Sequence, residues 1–412
     1  MLLRRRNTRL VVSQPSPGPR AADVSHDTCH APVTKPELRS SLTSDDLARI
    51  EYAAFVCGSA PESYDIASKS GHVLRTTCGE GFLNVYPDRH CWHIAGGIIA
   101  NDELKQATIH YLKQVAQFHR RTVAVYSVGA EDAPLFREAG YAVNKFGEEP
   151  VLDLVDLRWQ GKSFEWVRRQ TNFCRRQGLD VVEITSPEHQ RALASELTDV
   201  FFDDLRDRVY SHPLRLLEGE FNPHFLGRRR LFVARQQSSQ RTEGFLIISP
   251  MENGTCWAFE TYRKRRDAVR GTIPFLFREV SDRLQLEGVR RVSLCLVPGK
   301  GVELDTAAEA DARVRWLLKL WYGRLDLLFS ASGQDYFKSR FRPAYIDRYL
   351  CVYPHNSWRS IISFVKTSGA FRVNVWNLLR KMAFGRSSAG PRDDQQSQSD
   401  KNIKSAPLVE AE

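Results

Sequence analysis

At 412 residues, with 42% apolar and 10% aromatic side chains, the chain can build cores for about two to three domains, which excludes a wholly disordered protein. Lys and Arg number 59 against 49 Asp and Glu, and the net charge of +10 favours an anionic partner: nucleic acid, a phosphorylated ligand or an acidic membrane surface. The 8 cysteines form no CxxC pair, unlike a disulfide framework or a zinc site, and read as thiols of a reducing compartment, with Cys91 a buried thiol and His93 a surface imidazole.

Residues 1–42, rich in Ser, Pro, Thr and Arg, read as a disordered basic arm. Its apolar run Leu10 to Val12 is too short for a signal peptide, and no run reaches the roughly 18 apolar residues of a membrane span. In a first block, 43–157, "GFLNVYPDRHCWHIAGGII" alternates as paired strands, "DELKQATIHYLKQVAQFHRR" has helical spacing and "TVAVYSVG" is a β-branched strand. A short helix, a Gly turn and a strand follow in "APLFREAGYAVNKFGEEPVLDL". The second block, 158–354, repeats the order: strands "RLFVARQ", "EGFLIISP" and "TCWAFETY", a helix from Thr272 to Glu287, then the strand "RRVSLCLVP". Two such units describe an α+β fold of tandem domains resembling the acyl-CoA N-acyltransferases (GNAT-like). Residues 355–386 place Trp358, Ile361, Ile362, Val365 and later Phe371, Val375, Leu378 and Leu379 at helical spacing among basic residues, the composition of an interfacial membrane helix or of a helix docked on the core. The tail 387–412 reads as disordered.

The densest basic cluster is "ETYRKRRDAVRGT", Glu260 to Thr272, where a strand ends in Arg263, Lys264, Arg265, Arg266 and Arg270 just before a helix. A helix N-terminus offers unpaired N–H groups and partial positive charge, so arginines there make an anion site. The acetyl-CoA loop R/Q-x-x-G-x-G/A is missing but for Gly271, which disfavours acetyl-CoA. Lys162, Arg168, Arg169, Arg175 and Arg176 make a second basic group on a helix, suited to a polyanion, while Arg228 to Arg230 read as a solvated strand approach. No G-x-S-x-G, P-loop, H-E-x-x-H or G-x-G-x-x-G motif is present, which removes most hydrolase, nucleotide triphosphatase and dehydrogenase readings.

"FREAGYAVNKFGEEPVLDLVDLRWQGKSFEWVRRQTNFCRRQG", "EGEFNPHFLGRRRLFVA" and "YFKSRFRPAYIDRYLCVYP" resemble the catalytic C-terminal part of the phosphatidylglycerol lysyltransferase (multiple peptide resistance factor) family, over about residues 45–354. The family's G-E-E-x-x-x-D-L is Gly147, Glu148, Glu149, Asp153 and Leu154; its G-K and L-R-x-x-x-N are Gly161, Lys162, Val167, Arg168 and Asn172. Its I-D-L-M-R aligns with Phe259, Glu260, Thr261, Tyr262 and Arg263, and its last motif with Phe337, Lys338, Arg340, Phe341, Pro343, Tyr345, Arg348, Tyr349 and Leu350. Two departures stand out: Asp335 replaces the arginine of G-L-R, and Cys295 replaces the glycine of L-G-M-A-P-L.

The resemblance implies transfer of an amino acid from aminoacyl-tRNA, as co-substrate and without a cofactor or metal, to a lipid hydroxyl such as that of phosphatidylglycerol. Lysine on that lipid is one candidate pair among amino acids and acceptors. By this reading Glu260 takes or orients the acceptor proton, and Arg263 and Lys338 neutralise the oxyanion or an adjacent phosphate. Arg265, Arg266, Arg270, Arg340 and Arg348 hold phosphates, with Arg168 and Asn172 in the substrate-binding set. The expected place is the cytoplasm, peripheral on the inner face of the membrane, and the chain is read as free-standing, without a multi-span flippase half. A soluble-acceptor N-acyltransferase and a non-catalytic binder of tRNA or acidic lipid are the alternatives.

Overall fold

The structure, a computed structural model, describes residues 34–379 apart from 69, 207, 211, 217, 218, 220, 225, 305–310, 324–330 and 371. Most of the expected arm, the tail 387–412 and the end of the basic helix therefore lie outside the described residues.

The strands and helices expected in the two blocks form, except that "RRVSLCLVP" breaks into two short strands, Arg291–Ser293 and Val297–Pro298, and the expected basic helix is described over Trp358–Ser368. The first half runs through β1 (Glu37–Leu38), α1 (Ser44–Cys57), β2 (His72–Arg75), β3 (Phe82–Pro87), β4 (Cys91–Ile99), α2 (Asp102–Phe118), β5 (Thr122–Gly129), α3 (Ala133–Glu138) and β6 (Ala142–Asp153). The second contains α4 (Glu165–Arg176), β7 (Leu179–Ile184), α5 (Pro187–Arg206), β8 (Arg230–Gln236), β9 (Thr242–Met251), β10 (Cys256–Lys264), α6 (Thr272–Leu286), β11 (Arg291–Ser293) and β12 (Val297–Pro298). After these come α7 (Ala312–Gly323), α8 (Ala331–Ser339), β13 (Ala344–Tyr353) and α9 (Trp358–Ser368). β4 and β9 are buried along their whole length, so both faces must be covered, which explains their near-continuous apolar runs. Helices do the covering: Phe275, Phe277 and Leu284 of α6 pack on Phe232, Leu246 and Phe259 of the sheet, and each such ring or branched chain contributes about 1.5–3 kcal/mol on burial.

All strands join one mixed sheet in the order β1-β2-β3-β4-β5-β13-β6-β11-β10-β9-β8-β7, with β12 on β6. The order contains one pattern twice. Antiparallel β2-β3-β4 is followed by a parallel partner, β5, reached through α2; antiparallel β7-β8-β9-β10 is followed by the parallel β11, reached through α6. Parallel neighbours need a crossover of a dozen or more residues, which those helices supply. In each copy the parallel pair is short, Cys91 to Ile94 against Thr122 to Val125 and Cys256 to Ala258 against Arg291 to Ser293, and the strands part beyond it. That is the splayed arrangement of a GNAT-like unit.

The closing strands are exchanged. β13, last in the chain, lies between β5 and β6 of the first half, and β6 in turn pairs with β11 of the second. The cut near residue 157 expected from sequence therefore does not separate two sheets, because a strand of each half completes the other. A short helical turn, Ser63–Ala67, also bridges the halves: Ser63 Oγ donates to Gly96 O of β4 at 2.7 Å, while Asp65 Oδ1 accepts from Arg229, just before β8, at 2.7 Å. Gly96 has no side chain because a Cβ there would stand 2.5 Å from Ser63 N.

α9 docks by its serines. Ser363 Oγ lies 2.8 Å from His93 Nε2 and donates to Asp88 Oδ2 at 2.8 Å. His93, expected at the surface, is fully buried, and burial holds its imidazole down to about 4, so it is neutral at ordinary pH. Trp358 and Ile362 consequently face outward from the same helix.

Candidate active site

A cavity of about 690 Å³ opens where β10 and β11 part. Its walls are the end of β10 (Glu260, Tyr262, Arg263, Lys264), the first turn of α6, Trp166 and Gln170 of α4, Cys295 and Leu296 beyond β11, and Phe337 and Lys338 of α8. Glu62 enters from the first half.

Glu260 is the extra residue of a β-bulge: β10 pairs with β9 through Phe259 and Thr261 with a register shift between them. A bulge re-aims one side chain, here into a polar cluster under the cavity. Glu260 Oε2 accepts from Arg229 Nε at 3.0 Å and from the Ser249 hydroxyl, and Oε1 from Arg229 Nη2 at 3.3 Å. Asp65 shares the same guanidinium. Burial raises both carboxyls, yet they separate. Repulsion from Glu260 carries Asp65 higher still, while Arg229 and hydrogen bonds from Asp65 and Ser249 hold Glu260 below the ordinary range. Of the two, Asp65 holds a proton the more readily and Glu260 ionises the more readily. Gly219 closes over it, since any side chain there would overlap Glu260 Oε1.

Glu260 is thus not the free base expected from the sequence. Both its oxygens are engaged, its basicity is lowered and its side chain is only 4% exposed. Arg229 makes the cluster possible. The run Arg228 to Arg230, read as solvated, places Arg229 in the interior, Arg228 on Glu51 and Arg230 between Glu183 and Glu287.

Lys338 also lines the cavity, 2% exposed, with Nζ donating to Cys295 O at 3.0 Å and Leu296 O at 3.3 Å. An ammonium has three donors, so one is uncommitted among the described residues. Burial pulls Lys338 below the ordinary lysine range against the opposing influence of Cys295, Glu149, Asp335 and Glu62. The carbonyl it holds belongs to Cys295, whose φ of 65° lies in the left-handed region, which accounts for a glycine being usual at this position of the family motif.

The expected basic residues divide. Arg263 lines the cavity over the Phe201 ring at 5.1 Å, 3.6 Å from Asp204, and Arg270 stands exposed at its rim beside the N-terminus of α6. Arg265 points away from the cavity to Thr242 O at 2.8 Å and Glu196 at 3.5 Å, and Arg266 is exposed outside the cavity lining. Arg340 stacks on Trp166 and Tyr336, behind the wall that Trp166 forms. Arg168 ties Trp159 O and Gly161 O, and Asn172 is exposed one turn further along α4. Arg348 is no phosphate clamp: it is buried, bound to Glu149 at 2.5 Å and to Ser59 O at 2.7 Å. Asp335, which stands where the family motif has arginine, is neutralised by Lys300 at 2.7 Å and held by the hydroxyls of Tyr322 and Tyr345. It adds no net negative charge beside Lys338. Glu62 and Asp65 were not singled out from sequence, because no motif surrounds them, and Arg229 was read as solvated; only the fold brings the three together at β10.

Two GNAT-like units with exchanged closing strands, and a basic, partly buried cavity in the second, define a tandem acyltransferase fold. The chain belongs to the family described as phosphatidylglycerol lysyltransferase, C-terminal, which matches residues 63–352. It is 26% identical over 238 residues to the lysylphosphatidylglycerol biosynthesis bifunctional protein LysX of Nocardia farcinica, covering 56% of this chain and 20% of that protein. It is 23% identical over 249 residues to the phosphatidylglycerol lysyltransferase of Bacillus subtilis, covering 60% of this chain and 28% of that protein. The chain thus matches between a fifth and somewhat over a quarter of the length of these relatives. Among solved structures, the L-PGS of Bacillus licheniformis superposes with a TM-score of 0.65 at 19% identity, covering 79% of this chain and 97% of that one. A DUF2156 C-terminal domain from Agrobacterium fabrum superposes with a TM-score of 0.66 at 18% identity, covering 80% and 97%.

Proposed function

We propose that this chain transfers an amino acid from aminoacyl-tRNA to a hydroxyl of a lipid such as phosphatidylglycerol, with lysine the first amino acid to test because relatives of the family carry that name. The observation that supports it is the pairing of the family match over 63–352 with a cavity lined by one buried ammonium, Lys338, and by a basic rim. The tRNA ester is already activated, so the protein needs to position the two substrates, stabilise the oxyanion and move one proton. Lys338 is the oxyanion donor of this reading. Arg263, Lys264, Arg270 and the N-terminus of α6 take phosphate, whether of the tRNA end or the lipid headgroup. Asp65, Arg229 and Glu260 fix the floor and position β10.

A peripheral contact with an anionic bilayer completes the reading. Trp358 and Ile362 of α9 are more than half exposed, no acid occurs from 358 to 379, and among the described residues no helix is long and apolar enough to cross a membrane. The test is incubation with lysyl-tRNA and phosphatidylglycerol vesicles, following labelled lysine into the organic phase. Label that appears and is abolished by RNase supports the proposal; no label with any of the standard aminoacyl-tRNAs refutes it.

A further inference from the structure

The sequence between α1 and β2 carries no motif, yet the fold sends it into the site. In the first half β4 and β5 part after Ile94 and Val125, as β10 and β11 do in the second. Residues 58–63 lie against that split: Ser63 Oγ donates to Gly96 O of β4, Ser59 O accepts from Arg348 of β13, and Ser127 of β5 is near enough to the Glu62 carboxyl to oppose its upward shift. The cleft of the first half is therefore occupied by its own chain, which presents Pro61 and Glu62 to the cavity of the second.

Glu62 is buried, and its Oε2 has no hydrogen-bond partner although it borders the cavity. Leaving a carboxylate oxygen buried and unpaired costs several times a surface placement, and such groups persist where chemistry uses them. Among the charged neighbours of Glu62, Glu149 of β6 and Arg348 of β13 bond each other, Lys338 lines the same cavity within electrostatic reach, and Asp65 lies three residues on. Glu260 is neutralised by Arg229, and Asp204 lies with Arg263 and Arg208. Glu62 is thus the acid in the lining without a cation bonded to it among the described residues. Burial, then the nearby Glu149 charge, raises its carboxyl to about 7, where a group both takes and returns a proton readily.

We propose that Glu62, supplied by the first half, is the general base and then the general acid of the transfer carried out in the second half. The inference rests on the function proposed above. Its carboxylate takes the proton of the acceptor hydroxyl as that oxygen bonds to the aminoacyl carbonyl carbon, and the resulting oxyanion faces the Lys338 ammonium. The carbonyl re-forms as the bond to the ribose oxygen breaks, and that oxygen receives the same proton from Glu62. No net proton, electron or cofactor is consumed.

The experiment compares wild type, Glu62→Gln and Glu62→Asp in the lysyl-tRNA and phosphatidylglycerol assay between pH 5.5 and 9. Expected for Glu62→Gln is a kcat at least about 100-fold lower, a KM for lipid within about threefold, and loss of the acid limb near pH 7. Hydroxylamine, already nucleophilic as the neutral amine and able to supply its own N–H proton to the leaving oxygen, replaces the lipid hydroxyl as a second acceptor, and its enzyme-dependent reaction, above the spontaneous rate, should fall less than tenfold in Glu62→Gln, which a misfolded site would not allow. Glu62→Asp keeps the acid limb with a reduced rate and serves as the test should the Gln variant fail to fold. Wild-type-like rates and an unchanged pH profile in Glu62→Gln overturn the assignment while leaving the transfer reaction intact. A wild-type protein without transfer overturns the function itself, and the assignment with it.

Discussion

Arg229→Met is the most exacting test of how the two halves are held in register. Arg229 is 5% exposed and donates to Asp65 at 2.7 Å, to Glu260 at 3.0 and 3.3 Å and to Ser249 at 2.9 Å, with Tyr64 beneath its guanidinium at 5.1 Å. Removing it strands two buried carboxyls that repel each other, with no cation between them. Removing one partner of a buried ion pair costs about 3–5 kcal/mol, and methionine recovers only part of the lost packing. The loss is graded by pH. Without the cation both folded-state carboxyl pKa values lie above those of the unfolded chain, so their contribution is intact at low pH and is lost as pH rises through the folded values. Urea denaturation at pH 5 and pH 8 is the assay, with a loss of about 3 kcal/mol or more at pH 8 and a clearly smaller one at pH 5. A loss under about 1 kcal/mol, equal at both pH values, would refute the reasoning by showing that the cluster is solvated or relaxes freely.

Glu62→Gln carries a stability signature separate from its kinetic one. The folded carboxyl is raised from 4.5 to about 7, so wild type loses stability as pH rises through that window, and the variant should be more stable at pH 8 by up to about 3 kcal/mol and unchanged at pH 4.5. Equal melting temperatures at pH 8 would contradict it. Lys338→Met should reduce transfer by about 100-fold or more, mainly in kcat, measured by single-turnover transfer of labelled lysine. Cys295→Val places a β-branched residue at a φ of 65° and should cost about 1–3 kcal/mol in urea midpoint, whereas Cys295→Gly should not. Trp358→Ser with Ile362→Ser should reduce co-sedimentation with phosphatidylglycerol vesicles at least about fivefold at unchanged melting temperature, because both side chains face solvent. Unchanged sedimentation would remove α9 from the membrane contact.

Local patterns made the fold legible. Alternation in "GFLNVYPDRHCWHIAGGII" and helical spacing after Asp102 and Thr272 depend on residues a few positions apart, and those elements formed where the pattern put them. Pairing between distant strands carries no local signature, so the move of β13 into the first half could not be read from its mixed aromatic and basic sequence. Burial of charge was equally hidden. Arg228, Arg229 and Arg230 look alike in sequence, yet only the middle one is buried, between Asp65 and Glu260. Lys338 and Arg263 stand among motif residues in the sequence, and both line one cavity. Arg265 and Arg348 carried the same kind of signal and serve as ties to Glu196 and Glu149.

The exchanged closing strands set a timetable for the nascent chain. Cys351 of β13 pairs with Val143 of β6, about 200 positions earlier, so the first half emerges from the ribosome with the neighbours of β5 and β6 still unsynthesised. At about 5–20 residues per second those two strand edges wait on the order of 10–40 s for their partner. Unpaired edges invite association with other chains. A stop codon that removes β13 should therefore yield two incomplete sheets and insoluble protein, in place of one sound half and one damaged one.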